Sequence, residues 1–404
     1  MEKINQYIDG NFKKTIRFTP EDKGDLIGLP YPYTVPCTEK MFRCMYYWDT
    51  YFTNLGLYAK GMAVQARYNV NDMLYLVDKY GFMPNGNRTI YLNRSQPPFL
   101  YLMVKDVYNY FKDGEWLNKA YKTLCREYEF WSKERRADNG LNYYGSHRDM
   151  PAETVNEYNN AFRERSGGFC SDETGMRLRI AKTFLTFCES GWDCCSRFGL
   201  DGENYNPVDL NSLLYGFEDT MCIFSGILKN GEEEIWADRA KARKDRMKRL
   251  LWNEKERLYM DWNFRENQHS RVRSAASLYP MFVSMADDVA GEKKLLRDLM
   301  TIYGVACSAK DNYRFNLQWD YPNVWAPIQY VAFRAFRNYS LDDEAEEIMR
   351  RYTGLIEKGF EETGNLWEKY DGITGGVAEQ DYAAPTMMGW TAGVYLHFKK
   401  RMNC

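Results

Sequence analysis

Apolar residues recur in steps of three and four along most of the chain. The clearest run is Ala345, Ile348, Met349, Tyr352, Leu355 and Ile356, which lines one face of an amphipathic helix. Ser340 stands where a cap belongs, and Asp342, Asp343 and Glu344 put acids at the helix's positive end. Similar spacing predicts helices around 73–78, 99–111, 176–187, 235–252 and 293–303. Strict alternation, the mark of a half-buried strand, is scarce. Loops rich in Gly, Pro and Asn separate the helices at 83–98, 163–172, 198–207 and 364–385. The first and last exceed about 12 residues, a length that inside compact domains goes with function. No low-complexity linker or shift of composition divides the chain. About a dozen helices with long loops between them fit one ring of paired helices better than two domains.

Composition narrows the function. The 404 residues carry a formal net charge of −2, which leaves no electrostatic footprint for nucleic acid or an anionic membrane. No stretch approaches the roughly 18 apolar residues of a membrane span. The start, Met1-Glu2-Lys3-Ile4-Asn5-Gln6, lacks the apolar run of a signal peptide. The ten Cys are Cys37, Cys44, Cys125, Cys170, Cys188, Cys194, Cys195, Cys222, Cys307 and Cys404, with no C-x-x-C spacing. They read as free thiols, and with that start a cytoplasmic location is expected. His147, His269 and His397 are too scattered for a zinc site, so no metal or other cofactor is expected. Aromatic residues make up 16% of the chain, with 32 Tyr and 11 Trp, which suits many helix contacts or a carbohydrate site.

Three Trp-Asp pairs sharpen that choice: Trp48-Asp49, Trp192-Asp193 and Trp319-Asp320. An indole face covers the C–H face of a pyranose, and the neighbouring carboxylate accepts hydroxyl hydrogen bonds or moves a proton. Each pair alone also reads as a core Trp beside a helix-capping Asp. A propeller of Trp-Asp repeats needs a period of roughly 40–45 residues, whereas the gaps here are 144 and 127. Glycosidic cleavage needs one carboxylic acid to protonate the leaving oxygen and a second carboxylate on the opposite face of the sugar. Asp193 is the first candidate: Gly191 frees the backbone, and Trp192 supplies an apolar wall that raises a neighbouring pKa. Glu379 is the second, in a Gly-rich loop ahead of Gly389-Trp390, although a solvated loop acid reads equally well there. The two lie 186 residues apart, about half a circuit of the ring, which would set them face to face. The densest polar segment runs from Pro84 to Pro98 and offers Asn85, Arg94 and Gln96 as directional partners for vicinal hydroxyls.

These residues together resemble the trehalase family of glycoside hydrolases. The segment 84–98 is similar to that family's P-N-G-x-R-x-Y-Y-x-x-R-S-Q-P-P, 189–197 to E-S-G-W-D-x-S-S-R, and 318–327 to Q-W-D-x-P-N-x-W-A-P. Val208-Asp209-Leu210-Asn211 and 47–57 resemble two further motifs, so the likeness spans about 42–396. The resemblance implies an all-α (α/α)6 toroid over 41–404, with 1–40 leading into it, and inverting hydrolysis of α-glucosidic bonds. It puts Asp193 in the general-acid position. Sugar contacts fall by motif match on Phe42, Trp48, Asp49, Asn85, Arg94, Gln96, Glu153, Gly191, Trp192, Gln318, Trp319 and Asp320. The implied partner is a small oligosaccharide or glycoside.

The chain departs from the family at three places. Met41 stands where the first sugar-binding Arg belongs. Pro151-Ala152-Glu153-Thr154 keeps the Glu of R-P-E-S and loses its Arg. The general base lies in G-G-G-G-E-Y; counted forward from Gly375-Gly376 it falls on Glu379, and counted back from Gly389-Trp390 on Asp381. Glu379 keeps the residue type and is the expected base. A site that loses two charged hydroxyl clamps discriminates differently, which opens other α-glucosides or α-mannosides, such as glucosyl- or mannosylglycerate. A sugar isomerase or epimerase would use His as its proton shuttle, and a non-catalytic sugar-binding relative would have lost one carboxylate.

Overall fold

The computed structural model describes residues 2–39, 41–311, 315 and 317–402; Lys40, in the segment before Met41, and Cys404 lie outside them. Helices α1 (Glu2–Phe12), α2 (Tyr47–Ala59), α3 (Ala63–Tyr80), α4 (Leu100–Phe111) and α5 (Gly114–Glu134) come first. They are followed by α6 (Ala152–Arg165), α7 (Thr174–Ser190), α8 (Val208–Leu228), α9 (Glu233–Leu250) and the short α10 (Tyr279–Phe282). The last four are α11 (Ala290–Leu299), α12 (Ala326–Asn338), α13 (Asp342–Thr363) and α14 (Gly389–Met402). Helices α2, α4, α8, α10, α12 and α14 each pack on the next, and α14 returns onto α2 to close the ring. Helices α3, α5, α9 and α13 lie against that ring from outside, and α6 pairs with α7. This is the (α/α)6 toroid, and Ile4, Ile8 and Phe12 of α1 join the same hydrophobic core.

The helix expected from the apolar run is α13, and its acids are engaged as that position favours. Asp342 pairs with Arg337 at 2.6 Å and Glu344 with Lys293 at 2.8 Å. Ser340 is not its cap. Its backbone is left-handed (φ 56°) and its N–H donates to the Arg337 carbonyl, so it closes α12.

The closing seam requires glycine. A Cβ on Gly393 of α14 would lie 2.0 Å from the Phe52 carbonyl oxygen of α2, so only a residue without one lets the helices meet. Inside the ring the tryptophans stack on each other. The Trp319 ring lies 5.7 Å from Trp192 at 21° and 4.0 Å from Trp325 at 10°. Trp48 and Trp390 pack around them, with Trp48 5.7 Å from Trp319. This corrects the reading of Trp48, Trp192 and Trp319 as walls for a sugar. Their faces are covered by one another and they are buried, so they form the floor on which the site rests.

Candidate active site

Helix α7 ends in a turn that separates structure from chemistry residue by residue. Gly191 adopts φ +72°, and a Cβ there would sit 2.7 Å from the Trp48 ring. The turn drops Trp192 into the stack and leaves the next residue, Asp193, turned away from it. Its carboxylate is 42% exposed although protein surrounds it on the other sides. Gly191→Ala combines a left-handed backbone with overpacking, and urea unfolding should show a loss of about 3 kcal/mol. An unchanged midpoint would remove the steric role of this turn.

Two further sequence motifs are tied to that turn. Buried Glu189 accepts from Arg135 Nε at 2.8 Å and Nη2 at 3.0 Å, from the Ser95 N–H at 2.8 Å and from the Gly145 N–H at 2.6 Å. A buried charge satisfied on this scale is held in one geometry. Ser95 thereby fixes the polar loop against α7. In that loop the Asn85 N–H donates to the Arg94 carbonyl at 3.0 Å, and the Asn85 carbonyl accepts the Tyr47 N–H at 3.0 Å. Gln96 Oε1 accepts the Trp48 N–H at 3.2 Å. Arg94 Nη1 reaches the Asn93 side chain at 2.8 Å and the Tyr158 hydroxyl at 3.3 Å, and its guanidinium lies over Tyr91.

The second carboxylate facing Asp193 is Asp381. Its loop backbone is exposed, but the side chain turns inward and is only 8% exposed. Arg165, at the last turn of α6, comes between the two acids. Its Nη1 is 3.7 Å from Asp193 Oδ2 and 3.4 Å from Asp381 Oδ2. The two oxygens are therefore no more than 7.1 Å apart. Among the described residues Nη1 is buried and makes no well-aligned hydrogen bond, so it meets both acids mainly by charge. Glu379 stands on the outer side of the same loop, exposed to solvent. The left-handed backbone of Asp381 (φ 77°) turns the chain between the two positions.

Around this pair lie Asp49, Glu368, Lys369, Tyr382 and Phe42. Tyr382 donates its hydroxyl to Glu368 Oε1 at 2.8 Å. Phe42 packs edge-on against Tyr382 at 6.2 Å and Tyr46 at 5.8 Å. Burial raises the Asp193 carboxyl; Arg165 and Arg94 oppose it, and Asp381 adds to it. Burial also raises Asp381, against the pull of Arg165 and Lys369. Burial carries Glu368 to about 7, opposed by Lys369 and the Tyr382 hydrogen bond and aided by Asp193 and Asp381. Asp49 is raised by burial and then by Glu368. Carboxylates this close titrate as a coupled set, with protons shared among them.

Two of the sequence-expected residues are placed elsewhere. Glu153 is exposed at the first turn of α6, about 18 Å along that helix from Arg165 at its end. Asp320 accepts from the Ser196 N–H at 2.9 Å and Oγ at 2.6 Å, so it is committed to the fold. Gln318 bridges inward: its Nε2 donates to the Asp193 carbonyl at 3.1 Å. Arg165, Glu368, Lys369 and Tyr382 were not singled out from the sequence. Only Tyr382 carried a signal, since Asp381-Tyr382 repeats the acid-Tyr order of the family run. A cavity of 890 Å³ between α5 and the segment before α6 is lined by Phe82, Phe130 and Arg148 and includes neither acid. It adjoins the site through Asn93, whose amide donates to Tyr158 at 2.7 Å, and through Arg135, the partner of Glu189. The histidines pack away from the acids: His147 on Tyr143, His269 on Trp262 and His397 on Tyr330.

A closed (α/α)6 ring with facing carboxylates over an aromatic floor defines a toroidal glycoside hydrolase. The chain belongs to the trehalase family, whose sequence model matches residues 1–403 under the description Trehalase. It is 33% identical over 425 residues to the periplasmic trehalase of Xanthomonas axonopodis pv. citri, covering 97% of this chain and 72% of that one. It is 34% identical over 402 residues to the periplasmic trehalase of Pseudomonas aeruginosa, covering 92% and 71%. In fold it resembles neutral trehalase from Saccharomyces cerevisiae with a TM-score of 0.78 at 23% identity, covering 96% of this chain and 76% of that one. A mannosylglycerate hydrolase from Thermus thermophilus shares the fold with a TM-score of 0.63 at 16% identity, covering 91% and 96%. The expectation of a cytoplasmic location is corrected by these relatives, which are periplasmic. Free thiols were a poor guide to compartment, because six of the nine described cysteines are buried and shielded from oxidants. Among the described residues no helix is long and apolar enough to cross a membrane.

Proposed function

We propose that the chain hydrolyses α,α-trehalose to two glucose molecules with inversion at the attacked carbon. Asp193 gives its proton to the glycosidic oxygen as the bond from that oxygen to C1 breaks. Asp381 takes a proton from the water whose oxygen forms the new bond to C1 from the opposite face. The observation that carries this reading is the pair of carboxylates held across one guanidinium, no more than 7.1 Å apart. That bound admits the separation of about 6.5–9.5 Å that an inverting pair uses to seat a water. Asp381 replaces Glu379 as the base in this reading because only its carboxylate faces Asp193.

Arg165 takes the place left by the two missing arginines. It arrives from a different segment, and its donors suit sugar hydroxyls between the acids. Asp49, Asn85, Arg94, Gln96 and Phe42 complete the sugar-facing wall, and Gln318 supports Asp193 from behind. Proton NMR in the first turnovers of trehalose should show α- and β-glucose in equal amounts. The leaving glucose keeps its α configuration and the attacked one inverts. Release of α-glucose alone would overturn inversion.

Met41, 40% exposed where the family carries an arginine, favours a second reading in which another α-glucoside or α-mannoside is accepted on the same site. A substrate panel including glucosyl- and mannosylglycerate decides between them by kcat/KM.

A further inference from the structure

Lys369 is fully buried, on a short strand (Lys369–Asp371) paired antiparallel with Asn323–Trp325 so that Lys369 lies opposite Trp325. Among the described residues no carboxylate forms an ion pair with it, which is a costly state for a buried ammonium. Its ammonium lies 5.7 Å from the centre of the Trp325 ring, and its hydrogen bonds lead toward the acid and the base. Nζ donates to Gln318 Oε1 at 3.0 Å and to the Gln380 carbonyl, and it lies 4.3 Å from the centre of the Tyr382 ring. Gln318 in turn donates from Nε2 to the Asp193 carbonyl at 3.1 Å. Gln380 immediately precedes Asp381, and Tyr382 immediately follows it.

We infer that Lys369 is a positioning residue that sets the distance between the acid and the base. It does so through one continuous line of hydrogen bonds: Asp193 backbone, Gln318 amide, Lys369 ammonium, Gln380 backbone. Asn323 runs beside this line, donating to the Gln318 carbonyl at 2.9 Å and to Gln380 Oε1 at 3.2 Å, but it reaches neither the Gln318 amide nor the Gln380 backbone that Lys369 joins. An apolar side chain of the same volume would fill the space without tying the ends. An arginine would keep the charge but not the length or the tetrahedral donor geometry. The inference rests on the acid–base pair proposed above.

Three variants test it. In Lys369→Met the line is cut, and kcat on trehalose should fall about 100-fold, the cost of a displacement near 1 Å, with KM within about threefold of the native value. The groups that face Asp381 are Arg165, Lys369, Glu164, Glu368 and the Cys194 thiol, with Asp193 beyond Arg165. Loss of the Lys369 charge leaves Arg165 as the one cation lowering Asp381, so the acidic limb of the kcat/KM profile should move to higher pH. Lys369→Arg should leave that limb in place and still lose at least about tenfold in kcat. Gln318→Ala cuts the same line elsewhere and keeps the buried charge. The Gln318→Ala/Lys369→Met double variant should therefore be no slower than Lys369→Met alone. Crystal structures should show the gap between the Asp193 and Asp381 carboxylates altered by about 1 Å in Lys369→Met, or in Gln318→Ala if the first variant does not fold. Native kcat in Lys369→Arg, additive losses in the double variant, or an unaltered gap would each overturn the positioning role. A native protein that cleaves no α-glycoside would sink the hydrolytic reading instead, while the measured gaps still decide this one.

Discussion

Asp193→Asn is expected to lower kcat on trehalose by about 10,000-fold while leaving most of the rate on an aryl α-glucoside. The asparagine keeps the shape and the Gln318 tether to the backbone carbonyl, because that bond does not involve the side chain. What it removes is the proton. A glucose leaving group needs that proton, since its alkoxide is a poor leaving species, and general acid catalysis of this kind contributes up to about 10,000-fold. A nitrophenolate leaves without help, so the two substrates should separate in the variant and not in the native enzyme. Steady-state kinetics on both substrates measure this directly. Equal losses on the two substrates would remove Asp193 from the acid role. Burial raises the Asp193 carboxyl and Asp381 raises it further, so the protonated form extends toward neutral pH, where the acid must work.

The second large effect is expected at Asp381 and not two residues earlier. Asp381→Asn should lose about 1,000-fold or more on both substrates alike, because water has to be deprotonated whatever group leaves. Glu379→Gln, altered on the solvent side of the same loop, should stay within about twofold, as surface changes usually do. The reverse ranking would return the base to Glu379 and require the loop to swing round in the working enzyme. Burial raises the Asp381 carboxyl, and Arg165 and Lys369 oppose that rise by favouring the charged form a base needs.

The two countings of the base from sequence show where legibility ended. Counting from Gly375-Gly376 crosses a loop whose length the chain has changed. Counting from Gly389-Trp390 starts at a fixed point, because the Gly389 N–H is held by the Pro36 carbonyl at 2.7 Å and Trp390 Nε1 by the Glu368 carbonyl at 3.2 Å. On the proposed assignment of Asp381 as base, register survives on the anchored side. The turn at 189–193 was legible for a similar reason: Gly191 and Asp193 flank Trp192 and their placement is set by local backbone. The direction of an indole is not local. Trp48, Trp192 and Trp319 sit beside acids as a sugar wall would, yet the neighbours that decide which way they face come from distant helices. Arg165 was beyond reach altogether. The resemblance pointed to 151–154, where an arginine is missing, whereas the guanidinium is delivered from the far end of the helix that begins there.

The closing of α14 against α2 also sets when the enzyme can come alive during its own synthesis. The segment that carries Asp381 and then α14 is made long after its partner Phe52. Until those residues emerge, the Trp floor lacks Trp390, Asp193 faces no base, and the α2 surface beside Gly56 waits for the residue that covers it. Contacts of such long sequence separation form late and slowly. A nascent chain of this protein thus lacks a closed ring until α14 has emerged, and a premature stop before α14 leaves the ring open.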